Sequence, residues 1–189
     1  MVKDMRLETE RLIIRPYVEE DLMECFQLMQ DEELFKYKDM GVMTLDEYKG
    51  LFRWLMDSYN VGFDGDFAYS FNIILKETGA HIGWVGLGGL ATDRTKTEIF
   101  YLIGVQYQKQ GYATEASKAM LDYGFQTIGL KEIVAVCRKE NRASSRVMEK
   151  IGLRFRFLQE GLPKEFEQCN GDPYYSLTRE EYLRNGAKA

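Results

Sequence analysis

Apolar residues fall at two spacings along the chain, and the changes between them mark its elements. Residues 7–16 read as a first strand ended by Pro16. From Asp21 to Met29 the apolar positions recur at helical spacing, and residues 19–21 can start the helix. A second helix is predicted from Thr44 to Met56, with Thr44 and Glu47 spaced as a capping box. Residues 59–66, with two glycines and two aspartates, read as a loop. Strands follow at 67–75 and 81–90, separated by the hairpin turn Lys76-Glu77-Thr78-Gly79. Gly83, Gly86, Gly88 and Gly89 would weaken the second of these unless it is bulged or closely packed. Residues 91–96 then turn into a strand at 98–104, rich in β-branched and aromatic residues. Beyond it Ala116, Met120 and Tyr123 recur at helical spacing. Residues 132–138 read as strand and 143–151 as helix, with Gly152 as its C-cap. A last pair of strands, 154–157 and 174–178, surrounds a loop at 159–173.

The predicted order is β-α-α-β-β-β-α-β-α-β-β, an α/β chain combining an antiparallel meander and parallel crossovers in one mixed sheet. A length of 189 residues suits a single domain, 1–189. A net charge of −5 argues against a broad basic surface for nucleic acid, but leaves room for a small anionic ligand held by local potential. No apolar run reaches membrane-spanning length, and the charged N-terminal residues lack the apolar core of a signal peptide. Cys25, Cys137 and Cys169 are widely spaced and there is one histidine, which disfavours a disulfide scaffold or structural zinc. Cys137 reads as a small hydrophobe of a buried strand, and a reduced, cytoplasmic setting follows. His81 reads as a surface or hairpin histidine, and Trp54 and Trp84 as core.

The candidate chemistry begins at residues 108–116, Gln-Lys-Gln-Gly-Tyr-Ala-Thr-Glu-Ala. A strand feeding a short loop into a helix N-terminus brings several unpaired N–H groups together, and with the helix dipole they suit phosphate. Gly111 lets the backbone approach a ligand where a Cβ would collide. The spacing matches neither a Walker loop nor a dinucleotide fingerprint. An ordinary strand-to-helix turn is the competing reading.

The spacing Gln108-x-x-Gly111-x-Ala113 resembles the acyl-CoA pyrophosphate loop of the GNAT N-acetyltransferases. Its continuation through Thr114-Glu115-Ala116 resembles the Rim-type branch, which includes ribosomal-protein-alanine acetyltransferases. Asn141-Arg142-Ala143-Ser144, leading on to Gly152-Leu153, resembles the segment after that family's fifth strand. Residues 7–15, Leu-Glu-Thr-Glu-Arg-Leu-Ile-Ile-Arg, resemble its opening strand. The three motifs stand in family order across nearly the whole chain. The resemblance implies the GNAT fold, whose central strands splay, with acetyl-CoA as co-substrate and no metal. It places the pyrophosphate on N–H groups of Gln108, Lys109, Gln110, Gly111, Tyr112, Ala113 and Thr114. The gap would be lined by the backbone of Leu102, Ile103 and Gly104, with Asn141 and Ser144 contacting the pantetheine arm. Asn141 offers a donor and an acceptor to the pantetheine amides; Asn141 or Ser144 can equally cap the helix.

Acetyl transfer needs a neutral nitrogen, a polarised carbonyl and a proton for the leaving thiolate. Glu98 shares a strand face with Phe100 and Leu102 and matches the position of a family glutamate that deprotonates the amine. Burial among aromatics would raise its pKa toward neutrality; a strand-end glutamate in solvent is the other reading. Met148 stands where many members carry a tyrosine, and a thioether has no proton to give. Ser144, a water or Tyr175 are the substitutes, although Tyr174 and Tyr175 also read as core or edge aromatics. The expected acceptor is an amine: a protein N-terminus, a polyamine or an antibiotic-like amine. Glu32, Glu33, Asp64, Asp66, Glu160, Glu165 and Glu167 would attract such a cation, or are simply solvated surface. No nucleic-acid or membrane partner is expected, and the chain is expected as monomer or homodimer. Met148 also motivates an alternative, a non-catalytic acyl-CoA-binding regulatory domain.

Overall fold

Thr9 interrupts the N-terminal apolar run and turns the chain, because its hydroxyl accepts the Leu12 N–H at 3.0 Å while its own N–H donates to the Leu12 carbonyl. In the computed structural model, which describes residues 2–38, 40–61 and 68–186, the expected first strand is therefore a hairpin of β1 (Leu7–Glu8) and β2 (Leu12–Arg15). Helices α1 (Leu22–Leu28) and α2 (Leu45–Ser58) follow. The capping box of α2 forms as the spacing predicts, with the Glu47 carboxylate on the Thr44 N–H at 2.8 Å.

The meander is β3 (Ala68–Leu75), β4 (His81–Leu90) and β5 (Asp93–Ile103). Phe67, Asp64 and Asp66 lie outside the described residues. The β4–β5 turn is tighter than expected, with Leu90 opposite Asp93, so β5 starts well before Glu98. The glycines of β4 serve close packing: a Cβ on Gly86 would lie 2.5 Å from the Phe100 ring. Helix α3 (Tyr112–Asp122), prolonged by a π turn (Tyr123–Ile128), crosses to β6 (Glu132–Val136). Helix α4 (Arg142–Lys150) leads to β7 (Arg154–Leu158), and β8 (Pro173–Thr178) to α5 (Arg179–Gly186). Gly152 ends α4 as predicted, at φ 96°, with Gly152 and Leu153 N–H groups on the carbonyls of Glu149 and Met148. Helix α5 was not expected, although Thr178 and Glu181 repeat the capping-box spacing, and the Glu181 carboxylate takes the Thr178 N–H at 3.0 Å.

Among the described residues, eight strands form one sheet in the order β1-β2-β3-β4-β5-β6-β8-β7. Neighbours are antiparallel except β5 and β6, which are parallel and joined by the α3 crossover. Their pairing consists of a single bridge, Glu98 opposite Val134, whereas β4–β5 pair from Gly83–Ile103 to Leu90–Asp93. Beyond Glu98 the strands diverge and leave the expected gap in the middle of the sheet.

The core packs on both faces of β2–β6, with Leu12, Ile14, Phe71, Ile73, Val85, Ile99 and Phe125 at 0–1% exposure. His81 is buried rather than at the surface, its ring against the Asn72 amide, because α1 covers it and its main-chain N–H donates to the Glu24 carboxylate at 2.9 Å. Burial lowers its pKa to about 4. Trp54 is the second departure: at 53% exposure it lies on the outer side of α2. Cys137 sits just past the end of β6 and is half-buried.

Candidate active site

The loop between β5 and α3 carries two left-handed residues in quick succession, Lys109 at φ 62° and Gly111 at φ 88°. These turns gather main-chain N–H groups on one side. From Lys109 to Thr114, no N–H donates to another group among the described residues, and the first bond of the α3 ladder is Glu115 N–H to the Gly111 carbonyl. No side chain caps α3. Loop carbonyls are occupied instead: the Gln108 amide donates to the Ile103 carbonyl at 3.0 Å, and Arg11 Nη1 to the Gln110 carbonyl at 3.0 Å. A cavity of about 360 Å³ opens here, lined by Glu10, Gly111, Thr114, Glu115, Lys118 and Lys150. Six free donors at a helix N-terminus, with two lysines beside them, suit a diphosphate.

The gap between β5 and β6 starts at Glu98. It lies in mid-strand rather than at a strand start, half-buried, at the last point where the two strands pair. Burial raises its pKa to about 7, against the Lys38 charge and the Val136 N–H, which both favour the carboxylate. A carboxyl near neutrality can take a proton from an ammonium and return it to solvent.

Strand alternation sorts the other gap residues. The Gly104 N–H donates to the Ile82 carbonyl of β4 at 2.9 Å, so the main chains of Gly104 and Leu102 turn toward β4. Those of Tyr101 and Ile103 turn to the β6 side, where the ladder has ended. Of the three residues expected along the gap, the geometry places only the Ile103 main chain there, and adds that of Tyr101. The missed signal is the period of two itself, since neighbouring residues of one strand cannot aim their N–H groups the same way.

Tyr101 also brings its side chain to the α4 face. Its hydroxyl donates to the Ser144 carbonyl at 3.0 Å and meets Ser144 Oγ at 2.9 Å. Burial pushes the Tyr101 phenol well above its ordinary value, so it stays a proton carrier. Ser144 occupies the first turn of α4, whose N-cap is Asn141: Asn141 Oδ1 accepts the Ser144 N–H at 3.1 Å. The cap thus uses the acceptor of the Asn141 amide and leaves its Nδ2 for a ligand. Tyr175, on β8 opposite Ala135, directs its hydroxyl to the Glu149 carboxylate at 3.4 Å, not to Ser144. Met148 is 2% exposed and belongs to the main core. Tyr174 stacks on Phe157 at 4.6 Å. Glu32, Glu33, Glu160, Glu165 and Glu167 are exposed.

Comparison with known proteins bears on the family and the fold. The family model for the GNAT acetyltransferase domain matches residues 11–154. The uncharacterized N-acetyltransferase YnaD of Bacillus subtilis is 33% identical over 179 residues, covering 94% of this chain and 99% of YnaD. The spermidine N(1)-acetyltransferase of Escherichia coli is 27% identical over 139 residues, 74% of this chain and 70% of that protein. A GNAT-family acetyltransferase from Bacillus anthracis superposes with a TM-score of 0.75 at 27% identity, covering 93% of this chain and 99% of that one.

Proposed function

The chain belongs to the GNAT acetyltransferases, and from that premise we propose how its residues carry acetyl from acetyl-CoA to a primary amine. It is an acyl-CoA N-acyltransferase with acetyl-CoA as co-substrate. The observation that carries the reading is the pairing of six free N–H donors at α3 with a half-buried Glu98 where β5 and β6 part. The pyrophosphate would lie on the N–H groups of residues 109–114, flanked by Gln108, and the pantetheine along Tyr101, Ile103 and Asn141 Nδ2. Residues 1–189 would work as one catalytic domain.

In this reading Glu98 is the base. It takes a proton from the ammonium, and the freed lone pair attacks the thioester carbonyl. Main-chain N–H groups of Tyr101 and Ile103, no longer tied to a β6 partner, face the developing oxyanion. As the C–S bond breaks, Ser144 Oγ gives its proton to the thiolate. The Tyr101 hydroxyl, 2.9 Å away, turns its proton from the Ser144 carbonyl to resupply Ser144, and the second proton shed by the acylated nitrogen restores Tyr101 through solvent. Tyr175 is the weaker candidate donor, because its hydroxyl is directed to the Glu149 carboxylate rather than to Ser144 Oγ. Buried Met148 then leaves no gap in the chemistry.

The acceptor is a protein N-terminus, a polyamine or an antibiotic-like amine, attracted by exposed Glu32, Glu33, Glu160, Glu165 and Glu167. The Escherichia coli relative named for spermidine favours testing polyamines first. Three free thiols suit a reduced, cytoplasmic setting. The test is release of free CoA thiol from acetyl-CoA in the presence of N-terminal peptides, polyamines and aminoglycosides, with products weighed by mass spectrometry. A product heavier by one acetyl group on an amine supports the reading. Tight CoA binding with no release for any amine overturns it.

A further inference from the structure

The loop of free N–H groups has a negative charge built into it. Glu115 lies in the first turn of α3 and lines the same cavity as Gly111 and Thr114. A carboxylate there would repel a diphosphate, or fold back onto the N–H groups meant for it. The carboxylate does not fold back onto them in the structure, because the turn between β1 and β2 holds this side chain. Arg11 Nε donates to Glu115 Oε2 at 2.7 Å, and its Nη2 lies 2.6 Å from the same oxygen. The other oxygen accepts the Arg11 main-chain N–H at 2.9 Å and the Thr9 hydroxyl at 2.6 Å. Burial alone would raise the Glu115 pKa, but these bonds outweigh it and hold the carboxyl below its ordinary value.

Arg11 does more than neutralise. Its Nη1 donates to the Gln110 carbonyl, and its guanidinium lies 4.4 Å from the centre of the Tyr112 ring. One side chain thus grips the loop at residues 110, 112 and 115. A planar, always charged fork is suited to such a task, and a lysine could satisfy only part of it.

We propose that Arg11, from the N-terminal hairpin, is a positioning residue for the acyl donor. It keeps Glu115 folded away and the Gln110 carbonyl turned back, so that the N–H groups of residues 109–114 stay open to the pyrophosphate. The inference rests on acetyl-CoA occupying this loop. It assigns a task to the Thr9-Glu10-Arg11 turn, which touches neither Glu98 nor Ser144.

Arg11→Met separates this role from a general loss of fold when two donors are compared, acetyl-CoA and acetyl-pantetheine, which lacks the pyrophosphate. The expected result is a rise in KM for acetyl-CoA of roughly 10- to 100-fold, as for a lost charge-assisted contact, with kcat nearly unchanged. For acetyl-pantetheine kcat/KM should stay within about 2-fold of the unsubstituted protein. Arg11→Lys should fall between the two. Adding Glu115→Gln to Arg11→Met should recover part of the loss, because the unpaired charge is removed. Equal losses with both donors, or no recovery in the double variant, overturn the proposal. If the unsubstituted protein itself used both donors equally well, the pyrophosphate site would be wrong, which is a different failure.

Discussion

Replacing Glu98 by glutamine should make the protein a poorer catalyst and a more stable fold, and both effects come from the same burial. The Glu98 pKa stands at about 7 against an ordinary 4.5. A folded value above the unfolded one means that folding favours the protonated form. Its stability contribution is complete below about pH 4.5 and is lost as pH rises through about 7. At about 1.4 kcal/mol per unit, ionised Glu98 costs the native state about 3 kcal/mol in alkaline solution. Glutamine carries no such penalty. The advantage of Glu98→Gln should therefore grow by about 2 kcal/mol between about pH 5.5 and about pH 8.5, measured by urea denaturation at each pH. Activity should move the other way. For the unsubstituted protein, kcat/KM should rise with pH through a limb near 7, and the variant should lose that limb and roughly 100- to 10,000-fold in rate. A variant with full activity and an intact acid limb would remove Glu98 as base. A stability gap that did not widen with pH would refute the burial argument.

Tyr101→Phe removes the hydroxyl that meets Ser144 Oγ; kcat should fall by roughly 10- to 100-fold with KM for acetyl-CoA unchanged, read in steady-state kinetics. Met148→Tyr should not restore a proton donor, because the site is 2% exposed and in the main core; overpacking should cost about 1–3 kcal/mol in thermal unfolding with no gain in kcat. Asp21 accepts both Arg15 Nη1 at 2.6 Å and Nη2 at 2.8 Å. Burial raises its pKa, but the Arg15 and Val18 bonds prevail and lower it below 3.8. Asp21→Ala should cost about 2–4 kcal/mol near neutral pH, leaving Arg15 unpaired. In the unsubstituted protein the same contribution should fade as pH drops through the lowered value, checked by denaturation across acid pH.

Most elements were legible because their signals are local. The Thr44–Glu47 box, the hairpin turn after β3, Gly152 at the end of α4 and the strand-loop-helix at residues 108–116 each depend on residues within a few positions of one another. Helix α5 was within reach of the same rule through Thr178 and Glu181. His81 and Trp54 were misjudged for the opposite reason. Whether a residue is covered depends on where α1 and α2 land, and a helix landing site is a long-range fact.

By itself the sequence determined the order of elements apart from the β1–β2 turn and α5. Through spacing and backbone freedom it pointed to the loop at Gly111 as suited to an anion. Glu98 as candidate base came from its match to a family position. The tertiary structure alone decided that β5 and β6 share a single bridge, and hence that Glu98 lies where they part. It brought Tyr101 to Ser144 across 43 positions and Arg11 to Glu115 across 104. The reason is physical: a pKa near neutrality or a neutralised carboxylate is produced by neighbours, and the neighbours that matter here are brought together only by folding.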